Sequence, residues 1–195
     1  MLCDLDNVIR FYDLTRPAEL ERAAGLPVGT TTAVAFAPEV DLPLLLGRIT
    51  RERWAESVAL ALADRVPPRR ARELGAALAA APFRADGEVV AVLRGVRARM
   101  PLVLVTNASL ELEDDLAAMG LTDPAHHVVN SALVGVAEPD RETYEIAAAR
   151  AGVAPGRCLF VDDRRENVEA AAALGVRGLL HRTPADLRKV PGLPL

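Results

Sequence analysis

The 195-residue chain predicts an α/β fold, a doubly wound parallel sheet with a small α-helical module inserted near its start. Three observations predict it. Strand and helix patterns alternate from residue 88 onward, the order of a parallel sheet with helical crossovers. The chain opens on Met1-Leu2-Cys3, an apolar run that reads as a buried strand and turns polar at Asp4. Between these two regions, residues 13–82 carry only helical patterning. They therefore read as an insertion into a sheet domain made of residues 1–12 and 83–195.

Arg10-Phe11-Tyr12-Asp13 follows the first strand as a short connector. Ala18 to Ala24 is helix-prone, and Gly25 stands where a left-handed residue ends a helix. Ala33 to Phe36 and Leu42 to Leu46 are short apolar pieces. Thr50 caps a strong helix with Glu52 in its first turn, and Trp54, Val58, Ala61 and Leu62 share one face. Pro67-Pro68 breaks that helix and opens another over Arg69 to Ala81. Trp54 reads as the core anchor of this module rather than as a substrate contact.

Glu88 to Arg99 is an amphipathic helix. Pro101 to Val105 is a continuous apolar strand ending in Thr106-Asn107. Ser109 is placed to cap the next helix, which Gly120 closes. Val128-Val129 starts a strand expected to end near Gly135. Asp140 caps a helix that Gly152 stops. Cys158 to Val161 is a buried strand ending in Asp162-Asp163. Asn167 to Leu174 is helical, Val176 to Leu180 is the last strand, and Thr183-Pro184 opens a terminal helix.

Composition narrows the function. Hydrophobic residues make up 51% and charged residues 26%, a globular balance. A net charge of −4 argues against a nucleic-acid partner. No apolar run approaches the roughly 18–20 residues of a membrane helix. No basic segment leads into an apolar one, so no signal peptide is read and a cytoplasmic location is expected. Both cysteines sit in apolar, strand-like runs, as buried thiols of a reducing compartment do. Nothing in the sequence indicates an oligomeric state.

The chemistry gathers at three strand ends: Asp4-x-Asp6, Thr106-Asn107 and Asp162-Asp163. In an open parallel sheet these ends share one carboxyl edge, where ligands bind. Adjacent carboxylates repel unless a cation or a proton lies between them. Four carboxylates and a hydroxyl form an oxygen-rich set that suits Mg²⁺. A carboxylate can also act as a covalent nucleophile toward phosphorus.

These motifs resemble the haloacid dehalogenase superfamily of hydrolases, in its Rossmann-like form with a helical C1-type cap after the first motif. Asp4-Leu5-Asp6-Asn7-Val8 resembles motif I, Thr106-Asn107 motif II, Gly135 to Asp140 motif III and Asp162-Asp163 motif IV. The resemblance implies a Mg²⁺-dependent phosphohydrolase acting on a small phosphate ester. It implies that Asp4 is the nucleophile that becomes an aspartyl phosphate. Asp6 would protonate the leaving oxygen and then activate water. Thr106, with Asn107 beside it, would bind the phosphoryl oxygens. Asp163, with Asp162, would hold Mg²⁺ together with Asp4 and the backbone carbonyl of Asp6. The second aspartate, Asp6, disfavours a dehalogenase. Only three residues precede Asp4, which is short for such a strand and leaves a longer native N-terminus open.

One position departs from the pattern. Motif III implies a lysine, and Glu138 stands there. Lys189 is the one lysine among the 23 cationic residues, so no shift of alignment supplies another. Three outcomes follow. Arg141, or Arg10, Arg164 or Arg165, can supply the missing cation. The substrate can bring its own positive charge. Catalysis can be lost, leaving a binding module on the same fold. His126-His127 lacks a spaced third ligand and is no metal motif. Asn167 is placed either to start a helix or to orient the Asp163 carboxylate or a metal-bound water. Asp13 and Asp86 read as turn or cap residues.

Overall fold

The computed structural model describes residues 1–193. Five parallel strands form the main sheet: β1 (Leu2–Cys3), β4 (Val103–Thr106), β5 (His127–Asn130), β6 (Leu159–Asp162) and β7 (Arg177–Leu180). Their order is β5-β4-β1-β6-β7. The opening strand is thus central, with Leu2 level with Val103 on one side and Phe160 on the other. Burial on both faces explains why these strands read as unbroken apolar runs.

Successive residues of β1 feed opposite faces. Leu2 joins Val103, Val105 and Phe160 beneath α9 (Arg141–Arg150) and α10 (Arg165–Ala172), where Tyr144, Ala147 and Ala171 complete the packing. Cys3 and Leu5 face Val92 and Val96 of α6 (Gly87–Arg97), Leu116 of α7 (Leu112–Ala118) and Leu187 of α11 (Pro184–Arg188). Asp86 caps α6 by accepting from the Glu88 and Val89 N–H groups, and Asp140 caps α9 by accepting from that of Glu142.

Five helices lie between the first strand and the rest: α1 (Thr15–Ala23), α2 (Thr30–Ala35), α3 (Pro38–Leu45), α4 (Arg51–Ala61) and α5 (Pro68–Ala79). They have a core of their own, in which Trp54, Val58 and Leu62 meet Leu74, Leu78 and Leu20. The apolar pieces at 33–36 and 42–46 fall on α2 and α3. Gly75 lets α4 and α5 approach closely, since a Cβ there would stand 2.4 Å from the Ala55 carbonyl oxygen.

The structure corrects three local expectations. Residues 10–13 are more than a connector: β2 (Arg10–Tyr12) pairs antiparallel with β3 (Phe83–Ala85), and this ribbon ties together both ends of the helical insert. The strand expected to reach Gly135 stops at Asn130. There the Asn130 side chain accepts from the Ala132 N–H and starts a helical turn, α8 (Ser131–Val134), that Gly135 ends at φ +76°. Ser109 does not cap α7, whose N-terminal neighbour is Glu111. Its carbonyl accepts from Asn130 Nδ2 instead. No helix among the described residues is long and apolar enough to cross a membrane.

Candidate active site

Asp4 stands at the carboxyl end of the central strand, where its own N–H still donates to the Val161 carbonyl at 2.9 Å. The chain then reverses tightly. Asn7 takes φ +58°, a left-handed position that asparagine tolerates, and the N–H groups of Ile9 and Arg10 both donate to the Leu5 carbonyl. This turn brings Arg10 back over Asp6. Its guanidinium forks onto that carboxylate, Nε to Oδ1 at 2.6 Å and Nη2 to Oδ2 at 2.9 Å. Its remaining arm donates to Asp115 Oδ2 at 2.8 Å.

Asp115 in turn accepts from Arg51 of α4 at 2.7 and 3.1 Å. Arg51 also donates to the Ser109 hydroxyl at 3.2 Å. A chain of ion pairs, Asp6–Arg10–Asp115–Arg51, therefore runs from the first turn through α7 into the helical insert. The sequence carries no local signal for it, because Asp115 and Arg51 look like ordinary helix-surface charges.

Three neighbouring strands end together. β4 delivers Thr106, which is 2% exposed and whose hydroxyl has no hydrogen-bond partner. Asn107 clamps the loop opposite, donating from Nδ2 to the Glu138 carbonyl (3.0 Å) and accepting at Oδ1 from the Glu138 N–H (2.8 Å). β6 delivers Asp162, fully buried, which accepts from the Arg164 N–H (2.6 Å) and from Asn167 Nδ2 (2.9 Å). Asn167 thus orients Asp162, not Asp163. Asp163, the next residue, lines the cavity.

Asp4, Glu138 and Asp162 each place a carboxylate oxygen within 4.8 Å of the others. No arginine or lysine pairs with any of the three among the described residues. Burial, then the charges of Glu138, Asp162 and Asp6, holds the Asp4 carboxyl well above the usual carboxylate range. Burial and Asp162 raise Glu138 in the same way. Asp162 is pushed up to about 6 by burial, against the two hydrogen bonds it accepts.

None of the four arginines proposed as substitute cations pairs with Asp4, Glu138 or Asp162. Arg141 lies on the exposed face of α9 and pairs with Glu145 at 2.7 Å. Arg165 is exposed and faces Glu169. Arg164 lines the cavity with its guanidinium on Glu166, and Arg10 is taken up by Asp6 and Asp115. His126 accepts from the Leu102 N–H through Nδ1, a packing role at the far side of the sheet from the carboxylates.

A cavity of about 670 Å³ opens over these groups. Its floor is Asp4, Asp6, Thr106, Asn107, Glu138 and Asp163, and its upper wall is Phe36, Leu44, Leu45, Trp54 and Leu78 of the insert. Trp54 is both core anchor and wall, stacked on Phe36 with ring centroids 6.3 Å apart. Asp41 of α3 is the carboxylate on the insert side, pushed up to about 6 by burial. Such a site can place a nucleophilic carboxylate, a hydroxyl donor and a hard cation around one small anion.

Comparison with known proteins agrees with this geometry. The chain is 30% identical to a phosphatase of Mycobacterium tuberculosis over 199 aligned residues, 91% of this chain and 84% of that protein. It is 32% identical to a sesquiterpene phosphatase of Aspergillus oryzae over 117 residues, 56% of this chain and 59% of that one. Among solved structures, a HAD-family enzyme of Bacteroides thetaiotaomicron, in complex with magnesium and inorganic phosphate, aligns with a TM-score of 0.70. The alignment covers 93% of this chain and 92% of that one at 18% identity, a likeness of fold. The model of the haloacid dehalogenase-like hydrolases matches residues 3–175, and the chain belongs to that family.

Proposed function

We propose that this protein hydrolyses a small phosphate monoester through an aspartyl phosphate on Asp4. The observation that carries the reading is the Asp4 carboxylate at the end of the central strand, facing a cavity whose floor it shares with Thr106 and Asp6. In the first step an Asp4 oxygen attacks phosphorus, the bond from phosphorus to the ester oxygen breaks, and the Asp6 carboxyl gives its proton to the leaving alkoxide. In the second, Asp6 takes a proton from water as that water attacks the phosphoryl group. Phosphate leaves and Asp4 is regenerated. Arg10 fixes the direction in which Asp6 presents its carboxylate, and Thr106 has its hydroxyl free for a phosphoryl oxygen.

The donor set fits Mg²⁺: buried carboxylates, an available hydroxyl and no cationic side chain among them. Asp4, Asp162 and Asp163, with the Asp6 backbone carbonyl, would hold it. When bound, it draws charge from the phosphoryl oxygens and screens them from the attacking carboxylate.

The insert acts as a cap that excludes water and selects the alcohol. Its wall over the cavity is mostly apolar and aromatic, with Thr32, Asp41 and Arg51 as its polar residues, which favours esters of largely apolar alcohols over sugar phosphates. The experiment is a phosphate-ester panel with Mg²⁺, run on wild type and Asp4→Asn together. Aryl and alkyl phosphates are expected to turn over with wild type and not with the variant. A wild type inactive on every member sinks the reading. A second reading, a binding module on the same fold, is favoured by one observation: Glu138 is buried and its Oε1 has no partner. Turnover gained by Glu138→Lys in an otherwise inactive protein supports it.

A further inference from the structure

We propose that Glu138 is itself a cation ligand, so that Asp4, Glu138 and Asp162 form a three-carboxylate site that binds one divalent ion through an oxygen from each. The proposal rests on the reading that Asp4 and Asp162 hold the metal, and it adds a ligand to that site. The first support is spacing. The three oxygens lie within 4.8 Å of one another. Oxygens sharing a Mg²⁺ or Ca²⁺ ion, each about 2.0–2.6 Å from it, stand roughly 3 to 5 Å apart.

The second support is a pair of buried groups without partners. Glu138 is 6% exposed, yet its Oε1 has no hydrogen-bond partner. Thr106, 2% exposed, leaves its Oγ1 equally unsatisfied on the floor of the same cavity. Unsatisfied buried oxygens are costly and mark a place for an ion or a polar ligand. The third support is how Glu138 is held. Asn107 grips its backbone from both sides at 2.8 and 3.0 Å, so a rigid loop delivers the side chain to the site.

No side-chain cation satisfies Glu138 among the described residues. Arg164 is the cation whose field reaches it, but that guanidinium is turned to Glu166. Arg10 already bonds both Asp6 and Asp115. Three carboxylates carry one charge more than a divalent ion neutralises, and such charge-rich oxygen sites bind tightly. In this chain, then, Glu138 recruits the positive charge from solution rather than from a side chain.

The test is Mn²⁺ binding to the full chain, followed by loss of the free-ion electron paramagnetic resonance signal. Wild type, Glu138→Gln, Glu138→Ala and Asp162→Asn are titrated in parallel. Gln keeps the shape of Glu and removes a repelling charge, so a fold intact by circular dichroism is expected; the Ala variant repeats the test with the ligand deleted. A Kd raised at least tenfold by each Glu138 variant, and by Asp162→Asn, is the expected result. If Asp162→Asn weakens binding and the Glu138 variants match wild type, the proposal is overturned while the metal reading stands. If none of the variants changes Kd, or wild type binds no Mn²⁺, both fall.

Discussion

Asp4, Glu138 and Asp162 bring like charges into one buried place, and the protein's response to pH follows from that. Burial holds the folded Asp162 carboxyl at about 6, above its unfolded value near 3.9. Between those values the folded state binds more protons than the unfolded state, so the contribution of this residue to stability falls as pH rises. Asp162→Asn removes the effect. In excess chelator, the unfolding midpoint of Asp162→Asn minus that of wild type is expected to grow from pH 4 to pH 7. Mg²⁺ added at pH 7 is expected to raise the midpoint of wild type far more than that of the variant. A difference that stays flat with pH contradicts the assignment. At this scale much of the site was legible: carboxylates and a hydroxyl at strand ends need only the apolar-to-polar switch to be seen. Which aspartate of the 162–163 pair faces Glu138 was not legible, because it depends on the strand's last residue and the hydrogen bonds that Arg164 and Asn167 make to it.

Among elements, the insert's two longest helices, α4 and α5, come close together at Gly75. A methyl group there collides with the Ala55 carbonyl, so the helices must part. Alanine is the better helix former by about 1 kcal/mol, yet overpacking of this kind costs about 1–3 kcal/mol. Gly75→Ala is therefore expected to destabilise the protein by roughly 1 kcal/mol in urea denaturation, against the gain helix propensity alone would give. The helices, their caps and the main strands came from periodicity and punctuation, which are local. The β2–β3 ribbon did not, since three residues are too few for a period and its partner strand lies on the far side of the insert. The end of β5 at Asn130 was missed for a related reason: an asparagine that accepts from the backbone can stop a strand inside an apolar run.

In the molecule as a whole, the ion-pair chain Asp6–Arg10–Asp115–Arg51 joins the insert to the residue assigned to proton transfer. Arg10 is 2% exposed and depends on Asp115 for one of its arms. Removing one partner of a buried pair costs about 3–5 kcal/mol, because a charge is left without compensation. Asp115→Ala is expected to lose that much stability. The Arg51 side chain is about a quarter exposed, so solvent screens its pair and Arg51→Ala is expected to cost only about 1 kcal/mol. Its larger effect is on kcat/KM, expected to fall about tenfold or more, because small displacements of a catalytic group are expensive. A stopped assay with the best ester of the panel and a urea melt separate the two effects. Arg51→Ala that loses stability with kcat/KM unchanged would show that the link only fastens the insert.

What the sequence determined by itself was a sheet built from apolar runs, a helical insertion after the first strand, and oxygen-rich strand ends gathered at one edge. Hydrophobic periodicity and strand polarity are written residue by residue, so they survive without coordinates. Tertiary structure alone decided where the arginines go and what Glu138 meets. Charged side chains are paired by proximity, not by spacing. Arg141 therefore turned outward to Glu145, Arg10 was claimed by two carboxylates, and Glu138 was left facing Asp4 and Asp162.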